Sequence, residues 1–203
     1  LNAMIVDSSA LLEQVVNDVL ISAFGSAGQR CSACRVCFIQ ADVYPRFKAL
    51  LQGAMAELNV GSPEYLSTDC GPVIDEEALK NLKRHVELMK ANHNLIFECS
   101  LEHVSHHGHF IGPSAFQISA LSDLSEEQFG PILHVITYEA SELDAVIEQI
   151  NRCGYGLTMG IQSRINETID YIKARAHVGN CYVNRTMIAV SYTHLTLPTI
   201  LLV

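Results

Sequence analysis

The sequence predicts an α/β fold, a sheet with helices on both of its faces in a three-layer arrangement. Three observations carry this. Strand-like and helix-like periodicities alternate almost throughout the chain, the pattern of strands joined by crossover helices. Some strand candidates are continuous apolar runs, as expected of strands covered on both faces. The 203 residues are 49% hydrophobic, enough for a sizeable core, and no repeat or low-complexity tract interrupts them. Nothing forces a second domain.

The first strand is Ala3–Val6. Asp7, Ser8 and Ser9 then offer N-cap side chains to a helix in which Leu11, Leu12, Val15, Val16, Val19, Leu20, Ala23 and Phe24 recur at helical spacing. Gly25 and Gly28 end it, and residues 33–40, "ACRVCFIQ", read as one buried strand. A second helix covers 44–58, and 67–75 is a loop because Gly71-Pro72 cannot continue a helix. Glu76–Asn92 returns to helical spacing. A strand follows at 94–99, then a His-rich connector, then a strand pair or edge segment at 110–119. Residues 131–139 are a strand, 142–151 a helix, 156–163 a strand, 166–176 a helix and 179–186 a last strand.

Net charge is -9 and the 13 Lys and Arg form no basic stripe, so no nucleic-acid partner is expected. No uncharged apolar run approaches the roughly 20 residues that span a bilayer, and no basic n-region precedes an apolar h-region. No transmembrane segment is therefore expected, and the chain reads as cytoplasmic. Seven cysteines, odd in number and irregularly spaced, read as reduced thiols.

Cys31, Cys34 and Cys37 stand three apart in "GQRCSACRVC", a spacing that raises the question of a metal. An iron-sulfur site needs a fourth cysteine just beyond, and position 41 is Ala41. A zinc site needs a second pair, and Cys70 stands alone in its loop. Placed on one strand, Cys34 and Cys37 would face opposite ways, roughly 10 Å apart, and could not hold one ion. No metal site is accordingly expected, and Cys34 and Cys37 read as small apolar fillers. Cys31 differs, since it precedes the strand in a glycine-bounded turn where a thiol can meet a cleft.

His103, His106, His107 and His109 could bind zinc or nickel but read as a solvated connector, with no carboxylate or cysteine nearby to complete a set. "GYGLTMG", residues 154–160, leads into a strand rather than from strand into helix, and so fails as a phosphate-binding fingerprint. In open α/β sheets the chemistry favours loops beyond the carboxyl ends of strands or helix ends, and the reactive residues are expected there.

"FGSAGQRCSA" resembles the nucleophile motif of the aldehyde dehydrogenase superfamily, and "EEQFGP" at 126–131 resembles its second fingerprint, in the same order and at a similar separation. Further similarity runs through "NAMIVDSSALLEQVV", "GAMAEL", "TDCGPVID", "FGPILHVITY", "EQINRCGYGLTMGIQSRI" and "HVGNCYVNR". It spans about residues 2–188 and is nearest to the pyrroline-5-carboxylate (glutamate semialdehyde) dehydrogenase branch, found as a module of bifunctional proline-utilisation proteins.

The resemblance implies an aldehyde dehydrogenase catalytic-domain fold with NAD as cofactor and a small aldehyde, L-glutamate 5-semialdehyde, as substrate. It makes Cys31 the catalytic nucleophile, with its backbone N–H in the oxyanion hole. Glu127 would accept hydrogen bonds from the nicotinamide ribose, and Phe129 would pack near the nicotinamide. Ser32 would donate to the substrate's remote carboxylate, or else serve as a turn hydroxyl. Arg30 could lower the thiol's pKa or point into solvent.

A homo-oligomer is implied for the full-length protein. The family's general base, its dinucleotide-binding domain and a glycine-rich anchor loop are not in this chain, so residues 1–189 read as a catalytic domain truncated at both ends, without turnover alone. Residues 190–203, including "VSYTHLTLPT", resemble translated sequencing adapter and read as non-native. An aldehyde dehydrogenase of another substrate, or a Cys/His metal-binding module, remain as alternatives.

Overall fold

The computed structural model describes residues 1–102, 104, 108–154 and 156–188. The expectation about 190–203 lies outside them, as does most of the histidine connector. The strands are β1 (Ala3–Val6), β2 (Val36–Gln40), β3 (Asn94–Glu98), β4 (Ser114–Gln117), β5 (Ile132–Tyr138), β6 (Thr158–Gln162) and β7 (Asn180–Val183). Among the described residues they form one sheet in the order β3-β4-β5-β2-β1-β6-β7. Only β3 and β4 pair antiparallel.

β1 is central, with Ala3 opposite Val36 on one side and Met159 on the other. All four of its residues are buried, which is why "AMIV" is apolar at every position rather than alternating. Phe38 and Ile39 on β2, Val135 on β5 and Ile161 on β6 extend this core across the sheet. Burying each such side chain stabilises the fold by about 1.5–3 kcal/mol against leaving it exposed.

The helices are α1 (Leu12–Phe24), α2 (Tyr44–Ala56), α3 (Glu76–Asn92), α4 (Leu143–Arg152) and α5 (Asn166–Arg175). The step from β1 to β2 through α1 runs one way across the sheet, and the steps through α4 and α5 to β6 and β7 run the other way. Right-handed crossovers in opposite directions place their helices on opposite faces, which gives the three layers. α2 packs beside α1 and reaches β3, where Gln52 Nε2 donates to the Ile96 carbonyl at 2.9 Å.

Two local expectations are corrected. Asp7 to Ser9 do not cap α1, whose N-cap residue is Leu11 without a side-chain bond. Asp7 Oδ1 instead accepts from Ser9 N and Ser9 Oγ, closing its own turn. β2 starts at Val36 and not at 33, because Cys31 and Ser32 lie in a turn closed by Ala33 N donating to Arg30 O at 3.1 Å, and residues 33–35 lead from it into the strand. Cys34 is therefore off the strand, and the strand-alternation argument that separated it from Cys37 does not apply. Both are nevertheless fully buried among apolar side chains.

Candidate active site

Cys31, Glu127 and Phe129 line one cavity of about 800 Å³, together with Leu124, Cys153, Gly156 and Leu157. Every one of these residues precedes a strand or ends a helix at the amino side of the parallel sheet: Cys31 before β2, Glu127 and Phe129 before β5, Leu157 before β6. Of the two places expected, the carboxyl ends of strands are not where these residues lie, whereas helix ends are represented, with Cys153 at the end of α4. At the carboxyl ends the polar side chains satisfy one another: Ser163 Oγ donates to Asp7 Oδ2, and Asn184 Oδ1 accepts from Ser163 N at 3.0 Å.

The turn that delivers Cys31 is held in an unfavourable backbone conformation. Ser26, Ala27 and Gly28 have φ of 55°, 51° and 65°, three consecutive residues in the left-handed region. Two of them carry a Cβ, and each costs on the order of 1–2 kcal/mol that the surroundings must offset. Gly28 has a further reason to be glycine, since a Cβ there would lie 2.1 Å from the Gly130 carbonyl oxygen. The two backbones touch, and this contact brings the cysteine turn against the Glu127 segment.

Asn2, 3% exposed, fixes the turn from the other side. Its Nδ2 donates to the carbonyls of Cys31 at 2.6 Å and Ala33 at 3.1 Å, and its Oδ1 accepts from Thr158 N at 3.1 Å. One amide therefore ties the start of β1 to the nucleophile turn and to β6. Gln29 binds the 67–75 loop, donating to Pro72 O and accepting from Ile74 N.

Arg35 is 1% exposed. Its Nε donates to Glu127 Oε1 at 3.1 Å, its two terminal nitrogens donate to Gly28 O at 2.5 Å and Arg30 O at 2.9 Å, and its guanidinium lies 4.7 Å from the Phe129 ring centroid. Burial draws its pKa down and the Glu127 carboxylate pushes back up. Behind it, the Arg35 carbonyl accepts from His134 N and from His134 Nδ1, each at 3.0 Å. A carbonyl only accepts, so Nδ1 carries the proton and His134 Nε2 accepts from His85 Nε2, 3.0 Å away. Burial holds His134 neutral, its pKa drawn down to about 3.

Ser32 is buried, and its Oγ donates to the Ile188 carbonyl at 3.0 Å while its own carbonyl accepts from Thr158 Oγ1. Arg30 turns away from the thiol, Nε donating to Ser26 Oγ at 2.9 Å. Cys31 is the exposed thiol of the seven. Among the described residues no three His, Cys, Asp or Glu side chains gather as a metal site.

Arg35 and Asn2 escaped the sequence reading. A charge at the mouth of the apolar run "ACRVCFIQ" was the signal for Arg35, because a buried arginine requires acceptors. Asn2 gave none beyond its place before a strand.

A family model described as "Aldehyde dehydrogenase family" matches residues 1–195. The chain is 49% identical over 193 residues to the "Bifunctional protein PutA" of Klebsiella aerogenes, covering 93% of this chain and 15% of that protein. A solved structure of bifunctional proline utilization A (PutA) superposes with a TM-score of 0.89 at 48% identity, over 94% of this chain and 19% of that one. The 1-pyrroline-5-carboxylate dehydrogenase from Thermus, solved with bound NAD, gives a TM-score of 0.83 at 30% identity, over 93% and 36%. The chain thus spans a small part of the relatives it matches. Among the described residues no helix is long and apolar enough to cross a membrane.

Proposed function

The chain belongs to the aldehyde dehydrogenase family, and on that premise we propose that it carries the nucleophile and the ribose-binding carboxylate of an NAD-dependent dehydrogenase that converts L-glutamate 5-semialdehyde to glutamate in proline catabolism. The observation that supports this most is the meeting of Cys31 with Glu127 and Phe129 at one cavity, though they are far apart in sequence. The relatives named for proline utilisation and for 1-pyrroline-5-carboxylate dehydrogenase support the substrate.

The cavity fits the nicotinamide riboside end of the cofactor. Glu127, with 22% of its side chain exposed, offers a carboxylate to hydroxyl donors, and Phe129, 48% exposed, offers an apolar face to a ring. No Lys or Arg is among the described residues that line it, so the cavity suits a neutral sugar and a cationic nicotinamide ring rather than a pyrophosphate. Bound NAD supplies the hydride acceptor.

The residues of this chain do the rest. Cys31 Sγ, as thiolate, forms a bond to the aldehyde carbon, and the carbonyl π electrons move to oxygen as an oxyanion. The Cys31 backbone N–H is assigned to that oxyanion, where a fixed donor stabilises charge as it develops. Once the carbon is oxidised, Cys31 holds the acyl group as a thioester. Water then breaks the C–S bond, releasing the carboxylate and returning the thiol. Ser32 is assigned to the substrate's remote carboxylate, a role that requires its hydroxyl to leave the Ile188 carbonyl.

The protein is placed in the reducing cytoplasm, in keeping with seven free cysteines, and as a homo-oligomer when full length. The test is NAD reduction by a full-length protein carrying this segment, supplied with glutamate semialdehyde. Glu127→Gln should raise the KM for NAD about tenfold, the loss of one charge-assisted hydrogen bond. An unchanged KM would remove Glu127 from the cofactor site.

A further inference from the structure

We propose that Arg35 is a positioning residue that couples the Cys31 turn to Glu127 and Phe129, so that one buried guanidinium sets both halves of the site. The proposal rests on the functional reading above for the names of those halves, and on geometry alone for the coupling itself.

The guanidinium spends its donors in three directions: on the carbonyls of Gly28 and Arg30, which lead into Cys31 in the same turn, and on Glu127 Oε1. Its face lies on the Phe129 ring. A structural role alone would be served by an apolar residue, as at the fully buried neighbours Cys34 and Val36. A buried charge is costly unless fully paired, and here its partners are the turn that leads into the nucleophile and the proposed cofactor acceptor.

The Arg35 backbone cannot shift to follow those partners. Its N–H donates to Asn2 O at 3.0 Å, and its carbonyl is held twice by His134. A displacement of the Glu127 carboxylate therefore passes through the side chain to the Gly28 and Arg30 carbonyls. Lysine, a point charge without the planar fork, could satisfy only part of this set.

The test is the rate of iodoacetamide alkylation at Cys31, followed on its peptide by mass, in a full-length protein carrying this segment. Wild type, Glu127→Gln, Arg35→Met and the double variant form a cycle. Glu127→Gln should change the Cys31 rate at least about threefold when Arg35 is present and leave it unchanged in the Arg35→Met background, the non-additivity expected of residues in one network. The same effect in both backgrounds, or no effect in either, overturns the proposal. Where Arg35→Met does not fold, Arg35→Lys replaces it in the cycle, with the Glu127→Gln effect expected to shrink and an undiminished effect overturning the idea.

A second readout separates positioning from stability. Arg35→Lys should both raise the KM for NAD about tenfold and lower kcat at least about threefold; a change in only one of the two, or in neither, counts against it. A wild-type protein that reduces no NAD would sink the functional reading, and the alkylation cycle would still decide the role of Arg35.

Discussion

Cys31 is the exposed thiol of the seven. Burial pushes Cys34 and Cys70 up to about 12 and Cys99 up to about 11, and raises Cys37 and Cys181 as well. The thiolate is the nucleophile, so in a full-length protein at pH 8 Cys31 should be alkylated at least about tenfold faster than any of these five. Equal rates across the set would count against the assignment.

The same shifts set a pH limit on stability. A thiol whose folded pKa lies above its unfolded value of about 8.5 stabilises the fold fully below that pH, and the contribution is lost as pH rises toward 12. His134 has the opposite sign: its pKa of about 3 lies below the unfolded value of about 6.5, so its contribution is present above pH 6.5 and is lost as pH falls toward 3. Denaturant midpoints should therefore fall at both extremes, and His134→Gln should flatten the acid limb. An acid limb unchanged in that variant would contradict the role of His134.

The candidates Cys31, Glu127 and Phe129 could be singled out in the sequence because each sits in a motif of adjacent residues. Arg35 was not, since its carboxylate partner lies 92 positions away and the strand pattern around it is otherwise apolar.

At the scale of elements, the order of strands and helices was readable because apolar periodicity is local. The end of the sheet that carries the site was not, since periodicity says nothing about which loops converge. That convergence depends on backbone contacts such as Gly28 against Gly130 and on the amide of Asn2. Gly28→Ala places a Cβ against a backbone carbonyl at positive φ and should destabilise by at least about 2–3 kcal/mol in denaturant melts, with loss of turnover. A stable, active Gly28→Ala would mean that the turn is not built as described. Asn2→Ala leaves Thr158 N without its side-chain acceptor and frees the Cys31 carbonyl, and should cost about 1–3 kcal/mol.

At the scale of the molecule, the parallel sheet brings turns that are distant in sequence to one rim, and the topology explains why motifs so far apart serve one cavity. The relatives' greater length bears on activity. The isolated 203-residue chain, which covers 15% of the Klebsiella aerogenes relative and 36% of the Thermus enzyme, is expected to reduce no NAD with glutamate semialdehyde. Turnover by the purified chain would contradict this.

The most direct test of Cys31 as nucleophile compares NAD reduction by full-length protein carrying Cys31→Ala with that carrying Cys34→Ala. Removing the nucleophile should lower kcat at least about 10⁴-fold, whereas removing a buried filler should cost about 1 kcal/mol of stability and leave kcat within about threefold. Comparable losses from the two, or substantial turnover by Cys31→Ala, would contradict the account.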